Sequence, residues 1–217
     1  MRNLCRISAS SSRPTSRRRS RHGRAGVTLV ELIVALAILA VAVAVALPSF
    51  SGLLGKRSVD AAAAVLAGEI ARVRQEAITR HRYVGLAFEL SPDGDRYGVY
   101  LDGGHIGIHA SEIASGVDLL TRGPIDFRAA FEGVRLAIPG PTAIPRVPPS
   151  HGVLHPGDDP VQFGGTDIIS FSPSGESSSG AVYLCDRKGD LRAVVVYGRS
   201  GRLRVWRYLT DQHLWRQ

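Results

Sequence analysis

The chain has 217 residues, 44% of them hydrophobic and 21% charged, which suffices for one membrane segment and one domain of ordinary size. This composition excludes a disordered tail, a disulfide-stapled miniprotein and a polytopic transporter. The net charge of +8 belongs to one place: residues 1–26 hold eight arginines and no acid, so from Val27 onward 19 basic residues face 19 acidic ones. A nucleic-acid partner must therefore be argued from a local patch, not from global basicity. The two cysteines, Cys5 and Cys185, lie far apart. Cys185 reads as a small buried hydrophobe in a strand.

Leu32 to Leu47 are sixteen consecutive apolar residues, and Val27 to Leu47 are interrupted only by Thr28 and Glu31. Twenty-one helical residues reach roughly 31 Å, about one hydrocarbon core. The preceding arginines keep residues 1–26 in the cytoplasm and send the C-terminal part across the membrane. A cleaved secretory signal has a shorter apolar core, of about 7–15 residues, ending at a small-x-small site. A plain anchor has no use for Glu31, since an acid near hydrocarbon costs about 2.5–3.5 kcal/mol unless paired.

Gly26-Val27-Thr28-Leu29-Val30-Glu31-Leu32, with the apolar run and Pro48 behind it, resembles the prepilin signal of type IV prepilins and type II secretion pseudopilins. The resemblance implies that a prepilin peptidase cuts between Gly26 and Val27 and methylates the new N-terminus at Val27. It implies that Glu31, fifth in the mature chain, pairs with the α-amino group of a neighbouring subunit and sets register in a filament. Pro48 falls where such pilins carry a helix-bending proline.

Beyond Pro48, Val59, Ala62, Leu66, Ile70, Val73 and Ala77 recur every three or four residues, the pattern of a helix with one face on a sheet. Glu69 with Arg72 and Arg72 with Glu76 are spaced as helical ion pairs. Gly52 and Gly55 suggest a bend or frayed stretch. From residue 82 the period becomes two. Strands are expected at Tyr83–Leu90, Arg96–Leu101, His105–His109, Val117–Leu120, Val134–Ile138, Ile168–Ser172, Ala181–Cys185, Leu191–Tyr197 and Arg202–Tyr208. The proline-rich stretch 139–166 is expected to be a long irregular loop. The fold class is thus α+β, a pilin-like long N-terminal helix packed on an antiparallel sheet. Its parts are leader 1–26, membrane or filament-core helix 27–48, amphipathic helix 49–81 and a periplasmic β-rich domain 82–217.

The run Ile169 to Gly180, then Val182-Tyr183-Leu184-Cys185, Arg192 to Val196 and Gly201-Arg202-Leu203-Arg204-Val205 is similar to the GspH/FimT group of minor pseudopilins. That resemblance implies a non-catalytic, single-pass inner-membrane subunit with no cofactor. Its partners would be prepilin peptidase and other major and minor pseudopilins, near the tip of a periplasmic pseudopilus that exports folded proteins. The FimT branch carries a Gly-Arg-x-Arg motif implicated in DNA binding, matched by Gly201-Arg202-Leu203-Arg204. With Arg199, Trp206 and Arg207 nearby, strand alternation puts Arg202, Arg204 and Trp206 outward and Leu203 and Val205 inward, a surface able to bind phosphate and stack a base. Charged side chains guarding a sheet edge would look the same.

No metal site is expected. His105 and His109 on a strand stand about 13 Å apart, and His151 and His155 lie in the proline loop. Asp93-Gly94-Asp95 lacks the remaining ligands of a calcium loop and reads as a turn. Ser174, between Pro173 and Gly175, lacks the context of a nucleophile elbow.

Overall fold

The computed structural model describes residues 29–104 and 106–217, the side chains of 40–58 excepted. Its elements in chain order are α1 (Leu29–Arg80), β1 (Val84–Glu89), β2 (Arg96–Leu101), α2 (Ala110–Ser115), β3 (Leu119–Asp126), α3 (Phe127–Ala130), β4 (Val134–Leu136), β5 (Ile144–Pro145), β6 (Val153–Leu154), β7 (Val161–Gln162), β8 (Ile168–Phe171), β9 (Gly180–Asp186), β10 (Leu191–Tyr197), β11 (Arg202–Leu209) and β12 (Leu214–Arg216). The expected α+β class holds: a long N-terminal helix precedes antiparallel sheets. The chain divides into two units between Val45 and Ala46.

In the first unit the side chains of residues 29–39 are all exposed, Leu29 at 75% and Val34 at 51%. Among the described residues no helix is long and apolar enough to cross a membrane. The expected span 27–48 falls largely on side chains outside that description. Helical structure is continuous through Pro48, Gly52 and Gly55, so the fraying expected at the glycines is not present.

The second unit is built around the amphipathic half of α1. Val59, Ala62, Ala63, Leu66, Ile70, Val73 and Ala77 are buried, the face that the three-four spacing picks out. Each large aliphatic side chain so buried contributes about 1.5–3 kcal/mol. They pack against two antiparallel sheets, one ordered β3-β2-β1-β8 and the other β12-β11-β10-β9-β4, with β7 also on β9. From the first come Val84, Leu86, Phe88, Val99, Ile169 and Phe171; from the second come Val182, Leu184, Val194 and Val196.

Charged side chains fasten the helix to both sheets. Arg122 of β3 reaches Glu69 at 2.8 Å and Glu76 at 2.7 Å. Glu76 also pairs with Arg80 at 2.9 Å, in place of the expected Arg72, and the Glu69 to Arg72 distance is a loose 4.0 Å. Buried Arg192 of β10 meets Asp60. Farther along the helix, Arg74 Nε donates to the Gly175 carbonyl at 3.0 Å and Nη2 to Ser200 at 3.4 Å, pinning two turns. A β-carbon on Gly201, whose φ is +60°, would collide with the Arg74 side chain, so glycine there serves both backbone and approach.

The stretch 139–166 departs from the expectation of an irregular loop. Its prolines limit regular pairing to the two-residue strands β5, β6 and β7. Yet Ile144, Val147 and Leu154 are buried against Ala181, Tyr183, Cys185, Leu191, Ala193, Val195, Tyr208 and Trp215. It forms a third layer on the far face of the second sheet. Trp215 Nε1 donates to the Pro145 carbonyl at 2.8 Å, tying β12 to that layer.

Two strand expectations are corrected. Residues 106–109 form no strand, and His105 lies outside the described residues. The Gly107 and His109 N–H groups donate to the carboxylates of Asp102 and Asp118, at 3.1 and 3.0 Å, and are thereby spent before any ladder can use them. The strand expected at Val117–Leu120 begins at Leu119 and continues through Pro124 to Asp126. Proline is tolerated there because β3 is an edge strand.

Candidate assembly and binding surfaces

Glu31 lies in the first turn of α1, on an exposed apolar helix segment. Gly26 and Val27, where cleavage and methylation are expected, lie outside the described residues, as does the side chain of Pro48.

The basic C-terminal strand has the alternation expected, with two corrections. Arg202, Arg204 and Trp206 share a face of β11, opposite Tyr197, Val195 and Ala193 of β10. Arg202 and Arg204 are exposed, and Arg204 Nη1 donates to Gln217 Oε1 at 3.1 Å. Trp206 is half-buried rather than fully presented to solvent. That face carries the proline layer's core, and the indole packs against it with its Nε1 buried and unpartnered among the described residues. Arg207 is on the opposite face, that of α1, with Leu203 and Val205. Val205 is 37% exposed rather than buried, because it lies beyond the helix. Arg199 belongs to the β10 to β11 turn and is exposed. The strand therefore presents guanidinium groups on both faces and a single, half-buried indole.

Beside Arg202 and Arg204 lies a cleft of about 490 Å³, whose lining includes Arg146, Ser150, Asp159, Gln162, Ser179 and Tyr197. Arg146 Nη1 donates to Gln162 Oε1 at 2.7 Å, so its guanidinium already has a neutral partner.

The remaining sequence candidates resolve into structural roles. Asp95 Oδ2 accepts from the Leu136 N–H at 2.7 Å, and burial raises its pKa while that bond and Arg128 pull it back. Ser174 Oγ contacts Ser172 Oγ at 2.8 Å within a turn. His155 is exposed, 3.8 Å from Asp158. His109 is the residue preceding α2, its ring 3.4 Å from the Ile106 carbonyl.

One group was not legible in the sequence: Asp102, Glu112 and Asp118 bring carboxylate oxygens within 4.8 Å of one another. Asp102 and Asp118 are buried. Their separation of ten and six residues matches no ligand motif. Asp118 accepts from Gly103 N–H at 3.1 Å and His109 N–H at 3.0 Å, so the two aspartates hold the 102–118 segment closed through backbone donors. Replacing Asp118 with alanine would strand both donors in a part-buried site. An equilibrium denaturation series is expected to show a loss of about 2–4 kcal/mol.

Cys185 is the free thiol among the described residues and is buried. Burial pushes its pKa up, Arg135 draws it down, and Asp186 and Asp95 raise it again. The thiolate is the reactive form. A Cys5→Ser chain is therefore expected to be inert to a thiol reagent when native and to react fully once unfolded.

Two family models match this chain. Residues 62–201 match the family model described as type II transport protein GspH. The chain belongs to this GspH family. Residues 21–47 match the prokaryotic N-terminal methylation motif, which spans Gly26, Val27 and Glu31. No curated protein and no solved structure matches the chain. The two family matches make it a pilin-like minor pseudopilin, in a family that is structural rather than enzymatic.

Proposed function

We propose that this GspH-family chain is a minor subunit of a type II secretion pseudopilus that supports export of folded proteins across the outer membrane. In this reading prepilin peptidase removes residues 1–26 and methylates Val27. The apolar segment then resides in the inner membrane before joining other pseudopilins, with the β-rich domain in the periplasm. The observation that carries it is the match of residues 62–201 to the type II transport family. The exposed apolar side chains at 29–39 support it, since a helix apolar all round needs lipid or other helices around it. Glu31 within that segment would meet the Val27 amino group of an adjoining subunit. The attraction between the two charges is strongest where water is absent, and leaving either one unpaired there would be costly. The test is deletion of the gene in its host. Export of folded cargo is expected to stop and to be restored by the wild-type chain. Undiminished export in the deletion strain would refute the assignment.

A second reading, a FimT-like minor pilin that binds DNA, is favoured by the exposed pair Arg202 and Arg204 behind Gly201. Trp206 would contribute packing rather than stacking. This reading expects duplex DNA binding that weakens as salt rises and disappears in Arg202→Ala/Arg204→Ala. Absence of binding by the full chain at low salt would eliminate it.

A further inference from the structure

Helix α1 covers only part of the second sheet. On the face where it packs, Val182, Leu184, Val194 and Val196 are buried, but the same face continues across β11 and β12. There Val205 is 37% and Leu214 43% exposed, and Arg207 and Arg216 are exposed. The pairing register sets Arg192 opposite Arg207 and Arg207 opposite Arg216. Three guanidinium side chains thus form one row across three strands, about 4.8 Å apart from strand to strand.

Like charges directly opposite one another destabilise a sheet unless anions intervene. Helix α1 supplies the first such anion, Asp60, to Arg192. Arg192 is 1% exposed, and its Nη2 is buried without a hydrogen-bond partner among the described residues. Arg207 and Arg216 have no ion pair among the described residues. We propose that the β11 and β12 strip beside α1 seats an acidic helix of a neighbouring pilin-like subunit. Its carboxylates meet Arg207 and Arg216 as Asp60 meets Arg192, and its apolar side chains lie on Val205 and Leu214.

The chemistry favours this occupant over a nucleic acid. The strip alternates arginine with the exposed aliphatic side chains Val205 and Leu214, which an amphipathic helix would cover and a phosphate backbone would leave in water. The inference rests on the pseudopilin reading of the chain.

The test places a diazirine-bearing photoreactive residue at position 205 of the full chain in its host, with position 202 as the control on the other face. Irradiation is expected to join position 205, and not 202, to an acidic helical segment of another pilin-like subunit, mapped by mass spectrometry. Adduct yield should fall about tenfold or more in Arg207→Glu/Arg216→Glu, as when a charge pair is broken at an interface. It should survive in Arg207→Lys/Arg216→Lys. Adducts to lipid or nucleic acid, an adduct indifferent to charge reversal, or none from a processed chain at wild-type level would each overturn the proposal. If the helix adduct forms while the deletion strain still exports its cargo, the export reading falls and the docking surface stands.

Discussion

Arg122→Ala is expected to lower the stability of the β-rich domain by about 3 kcal/mol, read from denaturant midpoints. The Arg122 side chain is 24% exposed, and its guanidinium holds two carboxylates seven residues apart, Glu69 and Glu76, from a different element. Burial works against its charge, yet the hydrogen bonds to Glu76 and Glu69 outweigh that and raise its pKa. Removing the cation leaves both acids facing each other on a part-buried helix face, and breaking a buried pair from one side costs about 3–5 kcal/mol. Residual exposure and the Arg80 partner of Glu76 bring the figure toward the lower end. Arg122→Met, which keeps the stem and loses the charge, should recover little, because the loss lies in the stranded carboxylates. A double replacement with Glu69→Gln should recover part. A loss under about 0.5 kcal/mol, as at an exposed pair, would show that the contact does not hold the helix.

Glu31→Ala is expected to be cleaved normally and then to fail to enter filaments. Gly26→Val is expected to stop the chain before cleavage. The two substitutions separate recognition by the peptidase from recruitment by neighbouring subunits. N-terminal mass measured on membrane fractions reads the first, and cross-linking of the chain to other pseudopilins in the cell envelope reads the second. A carboxylate in an apolar segment costs about 2.5–3.5 kcal/mol unless paired, so alanine should insert at least as readily as glutamate. Any loss of assembly then reports the missing partner. Wild-type incorporation of Glu31→Ala would sink the pairing model.

The sequence disclosed most of this architecture because its periodicities agree with its burial. The six apolar helix positions from Val59 to Ala77 are all core, and β2 and β10 occupy their expected spans. What escaped was decided by partners distant in the chain. Nothing local to Ile144, Val147 or Leu154 reveals that they cover a sheet built of residues 181–215, because prolines suppress the alternation that marks a strand. The same hidden layer explains why Trp206, outward by strand parity, is half-buried. Residues 106–109 look like a strand, but Asp102 and Asp118 capture their backbone donors from either side. Arg202 and Arg204 were legible as a pair from alternation alone. The row Arg192, Arg207 and Arg216 was not, since it exists only once β10, β11 and β12 are paired in register.

The spacing of the arginine contacts on α1 has a mechanical meaning. Asp60, Glu69, Arg74 and Glu76 spread the attachment over about 24 Å of helix, and both sheets share it. A tug along the helix axis loads these anchors in shear, together, whereas a sideways pull would peel them one at a time. A subunit whose helix is drawn lengthwise by its neighbours is thereby gripped along its strong direction.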